Sequence, residues 1–296
     1  MLSIEGPRCQ VEVDGCFYRC SLRRKLFLQA DGHASPVVVG DEVIFEETAP
    51  GEGVIEGILE RRTKLSRVAP WAHEKEHIVA VNVDQLVIMV AIKDPPLKEG
   101  IIDRYIIVAE KGGLKPIICI NKIDLAGPGK VSSLQETYGG LGYPILFTSA
   151  IQGTGIDQLK EVLVGLKTVF SGPSGVGKSS LINAIQPGLG LKIREVRQAA
   201  RKGKHTTSSV TFLRLDMGGY VVDTPGVREL GLWNIKKQEV AGYFPDIWGV
   251  GKSCKYSGCT HSHEPFCAVK EAVQRGVFNE RRYNSYLRIL NSVEKN

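Results

Sequence analysis

Gly172-Pro173-Ser174-Gly175-Val176-Gly177-Lys178-Ser179 constrains the fold of this chain more than any other stretch. Thr168-Val169-Phe170 before it reads as a short buried strand. Ser180-Leu181-Ile182-Asn183-Ala184-Ile185 after it reads as a helix stopped by Pro187. A Gly-x-x-x-x-Gly-Lys-Ser turn between a strand and a helix belongs in a parallel α/β sheet. There the glycines let backbone N–H groups curl around a phosphate at the positive end of the helix. The candidate phosphate-binding run is therefore Gly172, Pro173, Ser174, Gly175, Val176, Gly177, Lys178, Ser179 and Ser180. Lys178 is placed to reach the β- and γ-phosphates, and the Ser179 hydroxyl to ligate Mg²⁺.

This loop does not name the nucleotide, because it also resembles the phosphate loop of guanylate kinases. Other motifs separate the readings. Pro116-Ile117-Ile118-Cys119-Ile120 is an apolar run of the buried-parallel kind, and it ends at Asn121-Lys122-Ile123-Asp124. Those side chains fall at a strand's carboxyl end, where α/β folds bind ligands. The Asp124 carboxylate can accept from both N1–H and the 2-amino group of guanine, a donor pair that adenine lacks. The Lys122 stem can lie along the base, and Asn121 can tie neighbouring loops together. A further strand, Tyr143-Pro144-Ile145-Leu146-Phe147, leads into Thr148-Ser149-Ala150, whose Ser149 and Ala150 N–H groups suit the guanine O6. Tyr220-Val221-Val222 leads into Asp223-Thr224-Pro225-Gly226. Asp223 suits a Mg²⁺-bound water and the Gly226 N–H a γ-phosphate. In ordinary GTPases the phosphate loop comes first and Asn-Lys-x-Asp last. Here the base reader precedes the phosphate loop with every part present, which is the pattern of a circular permutation.

Many GTPases place a Gln after the last of these glycines to orient the attacking water. This chain has Val227 there, which cannot hydrogen-bond water. The candidate for that task is His205 in Gly203-Lys204-His205-Thr206-Thr207; the plainer reading is that it belongs to the basic patch of Arg194, Arg197, Arg201, Lys202 and Lys204. One of Thr206 and Thr207 should complete the Mg²⁺ shell, with Thr207 preferred.

Near the C-terminus, Cys254-x₄-Cys259-x-His261-x₅-Cys267 offers three thiolates and one imidazole, with His263 as a competing ligand. Four N/S ligands suit a closed, structural Zn²⁺ site. Disulfide bonding is the alternative, and an odd total of seven cysteines with no secretory signal opposes it. Cys9, Cys16 and Cys20 read as small apolar residues in or beside strands, and Cys119 as core.

On these motifs the chain resembles the RsgA/YjeQ family of circularly permuted GTPases that depend on the small ribosomal subunit. The match rests on the permuted order, Gly-Lys-His-Thr-Thr, Asp-Thr-Pro-Gly before a hydrophobic residue, and the Cys/His pattern, and it spans roughly Val83 to Cys267. The resemblance implies an N-terminal OB-fold barrel, a permuted GTPase domain and a C-terminal zinc domain. It further implies GTP/GDP, Mg²⁺ and one structural Zn²⁺, a role for His205 in hydrolysis, and action late in maturation of the 30S subunit.

The remaining sequence fits that frame. Residues 1–67 read as short strands with Gly-rich turns: Gln10–Val13 and Phe17–Leu22 around Asp14-Gly15, then Val37–Phe45 and Gly53–Leu59. That is a small barrel, of OB or SH3-like type. Residues 68–235 read as the permuted GTPase domain, with a helix over Gly100–Lys111, and 236–296 as the helical zinc domain. The net charge is +6, and the basic residues cluster at Arg23-Arg24-Lys25, at Arg61–Arg67 and at Arg194–His205, which favours contact with an RNA backbone. The longest apolar run, Leu86–Ile92, is far short of the ~20 residues that span a bilayer. The expectation is a cytoplasmic monomer that binds rRNA and not membranes. The alternative is a nucleotide-gated RNA-binding assembly module in which turnover is incidental. Because the second switch runs directly into the zinc segment, hydrolysis is also expected to reorient the zinc domain.

Overall fold

The computed structural model describes residues 1–28, 36–69, 72–189, 210–223 and 230–293. Five short strands open the chain: β1 (Ser3–Glu5), β2 (Arg8–Val13), β3 (Cys16–Leu22), β4 (Val43–Ala49) and β5 (Glu52–Ile58), with helix α1 (Arg24–Leu28) between β3 and β4. They run in the order β1-β2-β3-β5-β4, with β3 and β5 parallel and the other neighbours antiparallel. This is the five-stranded, partly open Greek-key barrel of the OB type. Asp14 and Gly15 both take positive φ (50° and 82°), the conformation of a tight hairpin turn, and they fix Val13 opposite Cys16. The alternation of β2 and β3 points Cys9, Val11 and Cys20 inward, where Leu26, Val37 and Ile55 complete a small core. The expected strand over Val37–Phe45 begins only at Val43. Gly40 turns the chain at φ 98°, and the Asp41 carboxylate accepts from the Val38 N–H at 2.7 Å and from the Arg61 guanidinium at 2.7 and 2.9 Å.

A hairpin of β6 (Lys64–Ala69) and β7 (Ala72–Val81) follows, a separate two-stranded sheet. Then strands and helices alternate: β8 (Gln85–Ala91), α2 (Glu99–Lys111), β9 (Lys115–Asn121), α3 (Lys130–Tyr138), β10 (Ile145–Thr148), α4 (Ile156–Leu163), β11 (Lys167–Ser171), α5 (Lys178–Ile185), β12 (Thr211–Arg214) and β13 (Tyr220–Asp223). Strands β10-β9-β8-β11-β13 are parallel and β12 is antiparallel at their edge. Every residue of β8 is buried because helices cover both faces. Leu86, Ile88 and Val90 pack with Ile102 and Ile106 of α2, whereas Val87 and Met89 pack with Leu159, Leu163 and Leu181 of α4 and α5. Strand β12 also pairs with β1, Thr211 opposite Ser3, so barrel and α/β layer form one eleven-stranded sheet.

The C-terminal segment adds α6 (Pro245–Gly251), α7 (Ala268–Gln274) and α8 (Glu280–Val293). The helical spacing of Arg282, Tyr286, Ile289 and Leu290 gives α8 one buried face, and that face shares a core with Ile102 and Tyr105 of α2 and with Phe244 and Ile247. Within it the Arg282 guanidinium pairs with Asp103 of α2 and, at 3.1 Å, with Asp246 of α6, and stacks over Phe244 at 4.5 Å. In this arrangement the zinc segment is packed on α2, so a reorientation of it on hydrolysis would have to break these contacts. Moving it off α2 would expose a continuous apolar core and leave buried charges without partners.

Candidate nucleotide site and zinc centre

The phosphate loop leaves β11 at Ser171 and enters α5 at Lys178. Two of its glycines have no room for a side chain. A Cβ on Gly172 would lie 2.0 Å from the Met89 carbonyl oxygen, and one on Gly177 would lie 2.5 Å from the Asn121 amide nitrogen. Gly175 and Gly177 also hold positive φ (81° and 96°). Lys178 Nζ donates to the carbonyls of Gly172 (2.6 Å) and Pro173 (2.9 Å), so the ammonium sits at the mouth of the loop. Val176 is buried in the core, whereas Ser174 is exposed and Ser179 and Ser180 are half-buried at the start of α5. A loop whose glycines leave no room for a Cβ, against the Met89 backbone and the Asn121 side chain, with a lysine across its mouth, fits a nucleotide phosphate.

Asn121 ends β9 beside this loop. Its Nδ2 donates to the Val176 carbonyl at 2.9 Å, and its Oδ1 accepts from Thr148 Oγ1 at 3.0 Å. One amide thus joins the phosphate loop, β9 and β10. Lys122 follows with φ 61° and donates through Nζ to the Asp94 carbonyl. Ile123 opens a single helical turn, Ile123–Leu125, that carries Asp124. Asp124 Oδ1 accepts from Ser149 Oγ at 2.5 Å, and the same Oγ accepts from the Gln152 N–H at 3.2 Å. Ser149 is buried and bridges to Thr154, which fixes the turn through Ala150. Thr148 links these loops; its position after an apolar strand and before Ser149-Ala150 was the available signal. Cys119 lies behind it, fully buried, and burial pushes its thiol up to about 12, consistent with a core role.

Asp223 closes β13, which lies parallel to β11, so both strands deliver their carboxyl ends to the same side of the sheet. His205, Thr206, Thr207 and Gly226 lie outside the described residues.

In the C-terminal segment the ligand atoms of Cys254, Cys259, His261 and Cys267 all lie within 4.8 Å of one another. Cys254 Sγ is 3.8 Å from Cys267 Sγ, and His261 Nδ1 is 3.4 Å from Cys254 Sγ and 3.5 Å from Cys267 Sγ. A tetrahedron with ordinary Zn–S and Zn–N bonds has edges of about 3.8 Å between sulfurs and about 3.6 Å from sulfur to nitrogen. Cys254, His261 and Cys267 therefore match three vertices of such a tetrahedron, with Cys259 within 4.8 Å of each, and the donor set has the softness zinc prefers. Burial lowers the His261 pKa and so favours the neutral ring that a metal needs. His263 is exposed and its Nδ1 bonds Ser262 Oγ at 2.9 Å, away from the cluster. Gly251 faces the other side of the His261 ring, where a Cβ would lie 2.8 Å from Nε2. Tyr283 and Tyr286 of α8 donate to the carbonyls of His261 (2.6 Å) and Thr260 (2.7 Å), anchoring the knuckle to the shared core. These supports have no local motif and were not legible in the sequence.

The model of the RsgA GTPase family matches residues 58–233, more than half of the chain. The chain belongs to the RsgA GTPase family. It is a GTP hydrolase of the circularly permuted kind. It is 38% identical over 294 residues to the small ribosomal subunit biogenesis GTPase RsgA 2 of Bacteroides thetaiotaomicron, covering 98% of this chain and 95% of that protein. It is 42% identical over 273 residues to the RsgA of Thermotoga maritima, covering 91% and 87%. Among solved structures, YjeQ from Thermotoga maritima superposes with a TM-score of 0.82 at 38% identity over 100% of this chain and 97% of that one. YloQ, a circularly permuted GTPase, superposes with a TM-score of 0.76 at 29% identity over 99% and 93%. Membership in this family implies GTP/GDP and Mg²⁺. Among the described residues no helix is long and apolar enough to cross a membrane.

Proposed function

We propose that this GTPase is stimulated by the small ribosomal subunit and acts late in 30S maturation through contact with rRNA, as a cytoplasmic monomer. The observation that carries the reading is the Asn121 junction, where a guanine-reading segment and a phosphate loop of permuted order meet through one side-chain amide. In its support stand the relatives named small ribosomal subunit biogenesis GTPase and the net charge of +6. We assign RNA binding to a barrel of residues 1–67, turnover to 68–235 and the zinc centre to 236–296.

The roles follow from the chemistry of each group. Asp124 accepts N1–H and the 2-amino group of guanine, the Lys122 stem covers the base, and Ser149 and Ala150 meet O6. Backbone N–H groups of the Gly172–Ser180 loop, Pro173 having none, hold the β-phosphate, and Lys178 spans the β- and γ-oxygens. Ser179 and Thr207 would hold Mg²⁺, with Thr206 as the alternative to Thr207; Asp223 would hold one of its waters, and Gly226 N–H would meet the γ-phosphate. These are hard oxygen donors, as Mg²⁺ requires, and the ion when bound neutralises charge on the transferring phosphoryl group. His205 orients or activates the attacking water in place of the glutamine that Val227 replaces. The Cys254/Cys259/His261/Cys267 site leaves no open position and is structural.

GTP hydrolysis should be measured with the protein alone, with small subunits and with large subunits. Stimulation by small subunits alone is the expected result; equal rates in all arms would overturn the ribosomal part of the reading. His205→Ala that hydrolyses GTP at the parent rate, basal and stimulated, would remove that residue from the mechanism.

A further inference from the structure

The barrel and the α/β layer meet through a row of paired residues. Asp223 lies opposite Thr211, Thr211 opposite Ser3, Ser3 opposite Gln10 and Gln10 opposite Arg19. Four strand spacings, about 19 Å in all, therefore separate the end of the catalytic strand β13 from an exposed arginine on the barrel. Beside this row, Glu12 of β2 reaches across the seam. Its Oε2 accepts from the Tyr220 hydroxyl at 2.8 Å and its Oε1 from Arg214 Nη1 at 3.2 Å. Tyr220 and Arg214 are themselves a cross-strand pair of β13 and β12. The Glu12 side chain is only 10% exposed, so its carboxylate is well shielded from water. A cavity of about 490 Å³, lined by Met1, Glu12, Gly40, Phe212, Arg214 and Tyr220, opens at the same place. The two ends of the molecule are thus attached differently. The C-terminal helices share a core with α2; the barrel has a small core of its own and reaches the larger one through Val39, Leu2 and Ile4, beside a partly hollow seam with β12 and β13.

We infer that Glu12 is a positioning residue that couples the barrel to the nucleotide-binding strands, so that the barrel's placement and the setting of Asp223 depend on each other. The inference rests on the proposed contact between barrel and RNA only for its biological use. The coupling itself is a property of the seam, and by linkage it must act in both directions.

The test has two arms. Amide exchange in β1 and β2 is measured in the full-length protein with GDP and with a non-hydrolysable GTP analogue. The parent should show at least about a fivefold difference in protection between the two states. That difference should collapse in Glu12→Ala and return in the charge swap Glu12→Arg/Arg214→Glu. In the second arm, Glu12→Ala should keep the basal GTP hydrolysis rate and lose at least about fivefold of the stimulation by small subunits, again recovered by the swap. No nucleotide-dependent difference in the parent, or an undiminished one in Glu12→Ala, overturns the coupling. A parent that couples by exchange yet is not stimulated by small subunits overturns the ribosomal reading and leaves the coupling standing.

Discussion

Arg282→Ala offers the sharpest test of how the C-terminal helices are held. The Arg282 side chain is 2% exposed, and its partners Asp103 and Asp246 are 0% and 17% exposed. Removing the cation leaves a fully buried carboxylate on Asp103 with no counter-charge, a change that costs about 3–5 kcal/mol. Unfolding entropy near 2.1 cal/mol/K per residue gives about 0.6 kcal/mol/K for a chain of 296 residues, so the midpoint should fall by about 5–8 °C. The loss should also depend on pH. Burial pushes the Asp103 carboxyl above its ordinary range, and Arg282 pulls it down. Without Arg282 the folded-state pKa rises further. A raised carboxyl contributes stability that is fully present below its unfolded pKa near 3.8 and lost as pH rises through the folded value. The deficit of Arg282→Ala should therefore be largest at neutral pH and shrink as the pH is lowered. Arg282→Met/Asp103→Leu, which leaves no fully buried charge, should recover most of the loss. Urea unfolding of the zinc-loaded protein at several pH values measures the deficit, its pH dependence and the recovery, and a thermal melt measures the midpoint. A deficit below about 1 kcal/mol, or one that does not change with pH, would refute the account of Arg282 as a buried clamp.

Further outcomes follow from the two sites. Gly177→Ala puts a Cβ against the Asn121 amide and should weaken GDP binding at least about tenfold, read by titration with a fluorescent GDP analogue; unchanged affinity would mean the loop does not need that approach. Ser149→Ala removes the hydrogen bond to the Asp124 carboxylate and should cost about tenfold in GDP affinity while leaving the far-UV spectrum intact. Cys259→Ser should lower bound zinc below one equivalent by metal analysis and reduce the thermal midpoint, with His263→Ala as the variant that keeps its metal. Gly251→Ala should weaken zinc retention against a chelator without removing any ligand, because its Cβ displaces the His261 ring.

Much of this molecule could be read without coordinates, wherever local chemistry is carried by neighbours in sequence. The glycines of the phosphate loop, Asn121-Lys122-Ile123-Asp124 at a strand end, and the Cys/His spacing each bring their groups together within a few residues. The apolar run Pro116–Ile120 likewise announced a buried parallel strand, which is β9. The tertiary structure alone decided which barrel the first strands form, since parallel β3 and β5 are a long-range pairing with no local signature. It alone separated His261 from His263, two residues apart, by turning one ring toward the thiols and the other toward Ser262. It alone showed that the C-terminal helices share the core of α2, because Arg282, Asp103 and Asp246 meet only when distant helices pack. Sequence spacing determines what a short segment can bind. Which segments share a core or a seam is set by burial and strand pairing between residues up to two hundred positions apart, such as Glu12 and Arg214.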